Sequence, residues 1–263
     1  MVTNADGDKF EARLHPDGST LVLPGVTTVL KVLDKPAVQQ WKADSVAARA
    51  VANLDALLNR SMEEGFEYLR FAADDKLNDA GQLGTNMHEW IQADLGFGFY
   101  PEVDSVEMEQ MIEQWELFKF EHTISNVHWA ERTLANFDAG YAGTADLMWD
   151  IDDRVNEMVD IKTSRSLWDD HSMQLSALYM CEQEFNEITP NVWEESTFIK
   201  PESLAFLHLR PHDFDTKGNA ISAFCKVESL FMDDVPVYYA GFTGALIAAK
   251  SRYEMKQRLK ARQ

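Results

Sequence analysis

Asp160 and Lys162 stand two residues apart in the run Met158-Val-Asp-Ile-Lys-Thr, and Asp146 closes the earlier run Gly143-Thr-Ala-Asp. On a β-strand, residues two apart emerge from the same face, so an Asp-x-Lys triplet sets a carboxylate beside an ammonium. A hairpin between the runs brings the Asp146 carboxylate next to Asp160. Two carboxylates converging inside a sheet repel each other and lose hydration, unless a divalent cation sits between them. Hard oxygen ligands of this kind suit Mg²⁺ or Mn²⁺. The matching chemistry is hydrolysis of a phosphate ester, with the metal stabilising charge on the phosphate and Lys162 orienting or helping to deprotonate a water. Any one of these aspartates alone is ordinarily a turn or cap residue; the ordered combination carries the information.

The elements that must hold these residues follow from pattern and punctuation. Residues 1–23 read as a strand pair around the turn His15-Pro16-Asp17-Gly18. A helix-rich stretch follows. Thr27 and Thr28 are placed to cap a short helix ending near Asp34, and Pro36 suits the first turn of a helix running to about Asn59. Residues 62–79 form a further helix that Gly81 breaks, Thr85–Leu95 a short one stopped by Gly96, and Val103–His122 a longer one. Strand-like runs then cover 127–136 and 141–149, joined by Phe137-Asp138-Ala139-Gly140, with a third at 155–162. A helix over Asp169–Glu184, strands at about 203–210 and 220–228, and a terminal helix over 235–260 complete the chain. The expected fold is mixed α/β (α+β): a central mixed sheet flanked by helices. One domain over 1–263 is expected, with a helix-rich part (1–125), a core sheet and helix (126–230) and a C-terminal helix (231–263).

In order and approximate spacing, Gly84-Thr-Asn-Met-His88, Glu131, Gly143-Thr-Ala-Asp146, Asp160-Ile-Lys162 and Gln174 resemble the PD-(D/E)XK nucleases. Within that superfamily the chain is most similar to the RecB-like branch, which includes bacteriophage recombination exonucleases; Pro24-Gly-Val-Thr-Thr28, Lys35-Pro36 and Trp41 extend the likeness upstream. The resemblance implies a restriction-endonuclease-like core with an N-terminal helical segment and a Mg²⁺- or Mn²⁺-dependent exonuclease. It implies Asp146 and Asp160 as metal-binding carboxylates, Lys162 as the catalytic lysine, and the Ile161 carbonyl and His88 as further ligands. Gln174 resembles the residue that orients the lysine or a DNA phosphate. The branch's tyrosine one turn later is Leu178 here, with Tyr179 beside it. Glu131 either faces the metal, directly or through water, or is a solvated carboxylate on the other face. Some relatives hold an iron–sulfur cluster with four cysteines; Cys181 and Cys225 are too few, so no cluster is expected. No Gly-x4-Gly-Lys-Ser/Thr loop is present, so ATP is not expected as a cofactor. The implied partners are single- or double-stranded DNA ends, a single-strand annealing protein and further copies of the chain, in recombination, repair or phage DNA processing. An endonuclease of the same superfamily and an inactive nuclease fold that binds partners or mimics DNA are the competing readings.

Composition bounds these readings. The 263 residues carry 44 acidic and 24 basic side chains, a formal charge of −20, and 45% are hydrophobic. That apolar content excludes a disordered acidic tail. No apolar run approaches the ~18 residues of a membrane span, and the first residues lack the parts of a signal peptide, so a cytoplasmic protein without a membrane partner is expected. The acidity weighs against DNA binding over the whole surface, because such binding draws on Lys and Arg. Basic residues are nonetheless clustered. Residues 250–263 hold six with one acid, a helix able to contact phosphates or a neighbouring subunit. Arg165, Lys35 and Lys42 are candidate phosphate contacts, and Trp41 a platform for a base at a strand end.

Overall fold

A computed structural model describes residues 2–3, 9–14, 20–189, 192–214 and 218–262. Strands β1 (Val2–Thr3), β2 (Lys9–Leu14) and β3 (Thr20–Pro24) form a small antiparallel sheet; the turn residues His15–Gly18 lie outside the described residues. Helices α1 (Val26–Leu30), α2 (Pro36–Ala52), α3 (Leu54–Leu58), α4 (Met62–Arg70), α5 (Ala72–Asp94) and α6 (Val106–Glu121) follow. The remainder is β4 (Ile124–Asn136), β5 (Tyr141–Ile151), β6 (Arg154–Lys162), α7 (Asp169–Tyr179), β7 (Gln183–Thr189), β8 (Val192–Ser196), β9 (Ser203–Arg210), the short pair β10 (Asp213–Phe214) and β11 (Ala220–Ile221), β12 (Phe224–Leu230) and α8 (Val235–Lys260).

The central sheet has seven strands in the order β12-β9-β6-β5-β4-β7-β8. Only β6 and β9 run parallel; the other neighbours are antiparallel. Between those two strands the chain crosses through α7 and adds β7 and β8 to the far edge. Val26 of α1, Leu175 and Leu178 of α7 and Phe242 of α8 bury one face of the sheet against Tyr141, Met148 and Met158. Met87 and Ile91 of α5, with Met108 and Trp115 of α6, bury the other against Leu147, Trp149, Val159 and Leu207. The sheet is therefore a mixed one covered by helices on both faces, as the order of elements predicts.

Local chemistry explains most boundaries. Ser61 and Glu64 form a reciprocal capping box at the start of α4, and the Ser105 hydroxyl accepts from the Met108 N–H at 3.3 Å to start α6. Pro36 opens α2 as expected, but the helix stops at Ala52 and restarts as α3 after Asn53. Gly25, with an extended backbone, caps α1 in place of the threonines. The break expected at Gly81 falls instead at Phe71: α5 runs unbroken through Gly81 and Gly84 and unites two predicted helices. Tertiary packing overrides the glycine penalty there, because a Cβ on Gly84 would lie 3.0 Å from Thr163 Oγ1. The bare glycine lets α5 lie against the end of β6. Helix α7 is shorter than predicted and ends at Tyr179, since Gln183 already enters β7.

Gly143 serves the opposite face. A Cβ there would meet Leu178 Cδ2 at 2.8 Å and Val26 Cγ2 at 2.9 Å, so α1 and α7 both seat on this one position of β5. Gly143→Ala is expected to cost about 2 kcal/mol through overpacking. A thermal melt should show a fall of several degrees, and an unchanged melt would refute the close approach.

Candidate active site

Strands β4 and β5 pair regularly from Arg132↔Ala145 to Asn136↔Tyr141, and that register sets Glu131 opposite Asp146. Both strands lose their face alternation at this level. Trp129 and Leu134 of β4 pack on the α7 side despite an odd spacing, whereas Ala145 and Leu147 of β5 pack on opposite sides despite an even one. Glu131 has φ 51°, an uncommon left-handed backbone for a non-glycine residue. The β5–β6 pairing covers Leu147↔Val159 and goes no further toward Asp146. Beyond it, the Ile161 N–H donates to Asp146 Oδ2 at 2.7 Å in place of a ladder bond. The sheet is thus split between β5 and β6, with side chains filling the gap.

Seven polar side chains converge there. His88 and Gln92 lie one helical turn apart on α5 and reach the split from one face. His88 Nδ1 is 3.6 Å from Asp146 Oδ2, and Gln92 Nε2 donates to Glu131 Oε1 at 2.8 Å. Ligand atoms of His88, Glu131 and Asp146 all lie within 4.8 Å of one another. From the other face, Gln174 of α7 bridges the strand pair: its Nε2 donates to Asp160 Oδ1 at 3.3 Å and its Oε1 accepts from Lys162 Nζ at 3.5 Å. Lys162 Nζ is 2.5 Å from Asp160 Oδ2. Asp160 and Lys162 do share a face, as their spacing predicts.

The electrostatics record the crowding. Burial pushes the Asp160 carboxyl up to about 6; Lys162 pulls it down and Asp146 pushes it further up. For Lys162, burial lowers the pKa, but Asp160 and Asp146 outweigh it and hold the ammonium above its ordinary value. Lys162 is therefore a cation at neutral pH, suited to donating hydrogen bonds and stabilising negative charge rather than to removing a proton from water. The Glu131 residue keeps surface exposure, yet its carboxylate faces the split. Desolvation, then the neighbouring Asp146 charge, raise it to about 7 against the Gln92 hydrogen bond. Beside the pair, burial and then Lys162 push His171 down to about 4. It stays neutral, with Nδ1 accepting from the Trp168 N–H at 3.3 Å.

The donor set suits a divalent ion. One imidazole nitrogen and two carboxylates meet at ligand spacing, and the buried Asp160 Oδ2 has no well-aligned hydrogen-bond donor despite its closeness to Lys162. Nitrogen and oxygen donors together fit Mn²⁺ as well as Mg²⁺. Gln92 was not legible as a site residue, although its one-turn spacing from His88 was a usable signal. Removing its hydrogen bond frees Glu131 from a single orientation. Gln92→Ala should weaken Mn²⁺ binding about 10-fold or more by calorimetry, the usual scale for a residue that orients a ligand. Unchanged binding would show that Glu131 needs no such support.

The other predicted residues have different surroundings. The Arg165 guanidinium donates to the Phe214 carbonyl at 2.5 Å and lies 3.7 Å from Asp213. Lys35 pairs with Asp170 at 2.5 Å, and Lys42 lies 3.9 Å from Asp74. Trp41 is partly exposed on α2. Tyr179 sits at the end of α7 with Lys200 3.8 Å above its ring. Cys181 and Cys225 belong to the cores on opposite faces of the sheet.

No protein-family model matches the chain, and no curated protein matches it. Among solved structures, an alkaline exonuclease from Laribacter hongkongensis is similar at a TM-score of 0.33 and 11% identity, over 68% of this chain and 85% of that one. A structure of the same exonuclease in complex with dAMP gives a TM-score of 0.30 and 11% identity, over 68% of this chain and 84% of that one. Overlap at this level assigns neither fold nor activity to this chain. No helix among the described residues is long and apolar enough to cross a membrane.

Proposed function

We propose that the chain is a metal-dependent deoxyribonuclease that hydrolyses phosphodiester bonds from DNA ends. The observation that carries this reading is the convergence of His88, Glu131 and Asp146 beside the buried Asp160–Lys162 pair, at a split in the sheet where Glu131 remains exposed. In this reading His88, Asp146 and Asp160 hold the ion, with the Ile161 carbonyl as a further ligand and Glu131 binding directly or through water. A divalent ion so held supplies Lewis-acid stabilisation of a phosphate and a water of lowered pKa. Lys162, charged and fixed by Asp160 and Gln174, donates hydrogen bonds to the attacking water or to phosphate oxygens as negative charge builds on them. Gln174 keeps the ammonium and the Asp160 carboxylate in register. Arg165, Lys35, Lys42 and Trp41 are proposed to meet the DNA, the first three through phosphates and Trp41 by stacking.

Incubating linear and covalently closed circular duplexes with Mg²⁺ or Mn²⁺ tests the reading. Loss of the linear form alone is expected. Cutting of the circle would instead indicate an endonuclease, and survival of both would remove the hydrolase assignment.

A further inference from the structure

A concave site lies beside α1, where the end of that helix, the β4–β5 turn and the C-terminal half of α8 line about 640 Å³. Among the described residues its wall carries four cations, Lys31, Lys250, Arg252 and Lys256, against one acid, Glu254. That concentration is out of character for a chain with a formal charge of −20. Lys250 is committed to the scaffold: its ammonium donates to the Ala139 carbonyl at 2.6 Å and ties α8 to the turn. Among the described residues, no ion pair compensates Lys31 or Arg252. Cations gathered in a concave, partly apolar wall repel one another and focus positive potential outward, an arrangement that an anion relieves. Tyr253 adds an aromatic face to the same wall, and aromatic groups among cations suit nucleotides better than free phosphate.

The position of this pocket fits a polymer. It opens at Gly140, just before β5, and Asp146 lies six residues farther along that strand. At about 3.3 Å per residue the two are roughly 20 Å apart, the rise of about six nucleotides along one strand of a duplex. Both α1 and α8 pack on the sheet face that also bears α7 and Gln174.

We infer that the α1–α8 pocket is a phosphate-binding anchor for a nucleic-acid strand whose reacting end lies in the Asp146–Asp160 site. The inference rests on the nuclease reading for what happens at that site, but strand binding can be measured without turnover. The anchor contributes affinity for strands long enough to reach it and leaves short substrates untouched.

The test is fluorescence anisotropy with an end-labelled 20-base-pair duplex in EDTA, across a salt series. It compares wild type with a Lys31→Glu, Arg252→Glu, Lys256→Glu variant and, should that unfold, with Lys31→Gln, Arg252→Gln. Affinity is expected to fall about 10-fold or more, and the slope of log affinity against log salt to shrink by roughly 0.9 for each phosphate no longer neutralised. Where metal-dependent cleavage occurs, a trinucleotide should be cut at the wild-type rate by these variants. Unchanged affinity and salt slope in the folded variants would overturn the inference, as would an end to self-association with duplex binding intact, which would make the pocket an interface between copies. If wild type binds the duplex through these residues yet never cleaves it, the anchor stands and the nuclease reading fails.

Discussion

Replacing Lys162 by Met is expected to lower the proposed DNA hydrolysis at saturating metal by about 10³-fold, a loss of roughly 4 kcal/mol of transition-state stabilisation. The magnitude follows from placement. The ammonium is nearly buried, 2.5 Å from Asp160 and within 3.5 Å of the Gln174 oxygen, so its hydrogen bonds point into the split. A preorganised cation in such surroundings is worth far more than one in water. Substrate affinity should change much less, so the effect falls on kcat. The fold is expected to survive, because Asp160, already raised to about 6 by burial, protonates once the ammonium is gone instead of remaining an unpaired buried charge. Single-turnover kinetics alongside a circular-dichroism melt separates the two effects. A folded Lys162→Met protein with full activity would remove the lysine from the mechanism.

The second large effect concerns metal and pH together. Glu131 and Asp160 have folded pKa values of about 7 and about 6, above the unfolded values of roughly 4. For acids raised on folding, the protonated form favours the fold. The stability they contribute in the ion-free protein is therefore present below about pH 4 and is lost as pH rises through about 6 to 7. A divalent ion bound by these carboxylates reverses that loss at high pH, where they are ionised, and competes with protons at low pH. With metal at about 100 times its dissociation constant, linkage gives roughly 2.7 kcal/mol, or about 5–10 °C in melting temperature for a chain of this size. The metal-induced shift should be near that value at pH 8 and nearly absent at pH 5. A shift equal at both pH values, or larger at pH 5, would show that the ion binds elsewhere.

Most of the residues that converge at the split were legible because their spacing encodes geometry. A strand repeat of two fixes Asp160 with Lys162, and a hairpin register fixes Asp146 against the same level. What pattern could not convey is the break in that regularity. Glu131 reaches the cluster through a left-handed backbone and a double reset of strand alternation, and no property of a single glutamate announces either. The helices were harder for a related reason. Gly81 reads as a break by propensity, yet α5 runs through it and through Gly84, where the close approach to Thr163 suits a glycine. Strands β7 and β8 were missed because this outer pair, with β8 at the edge, lacks the sustained apolar run that marks the sheet centre. The basic residues were visible as counts only. Lys35 and Arg165 lie beside Asp170 and Asp213 in the fold, whereas the cations of α8 gather with Lys31 from the distant α1.

The charge of −20 takes on meaning in that light. On the proposed nuclease reading, an acidic exterior would repel DNA except where cations are concentrated and so confine binding to a narrow path. The claim on which the whole reading depends is that the clustered acids hold a metal and cut DNA. It is tested most directly by following nucleotide release from an end-labelled linear duplex with Mg²⁺ or Mn²⁺, using wild type and an Asp146→Asn, Asp160→Asn variant shown to be folded. The expected result is metal-dependent release by wild type and none by the variant. No release by wild type with either ion, or equal release by the variant, would contradict it.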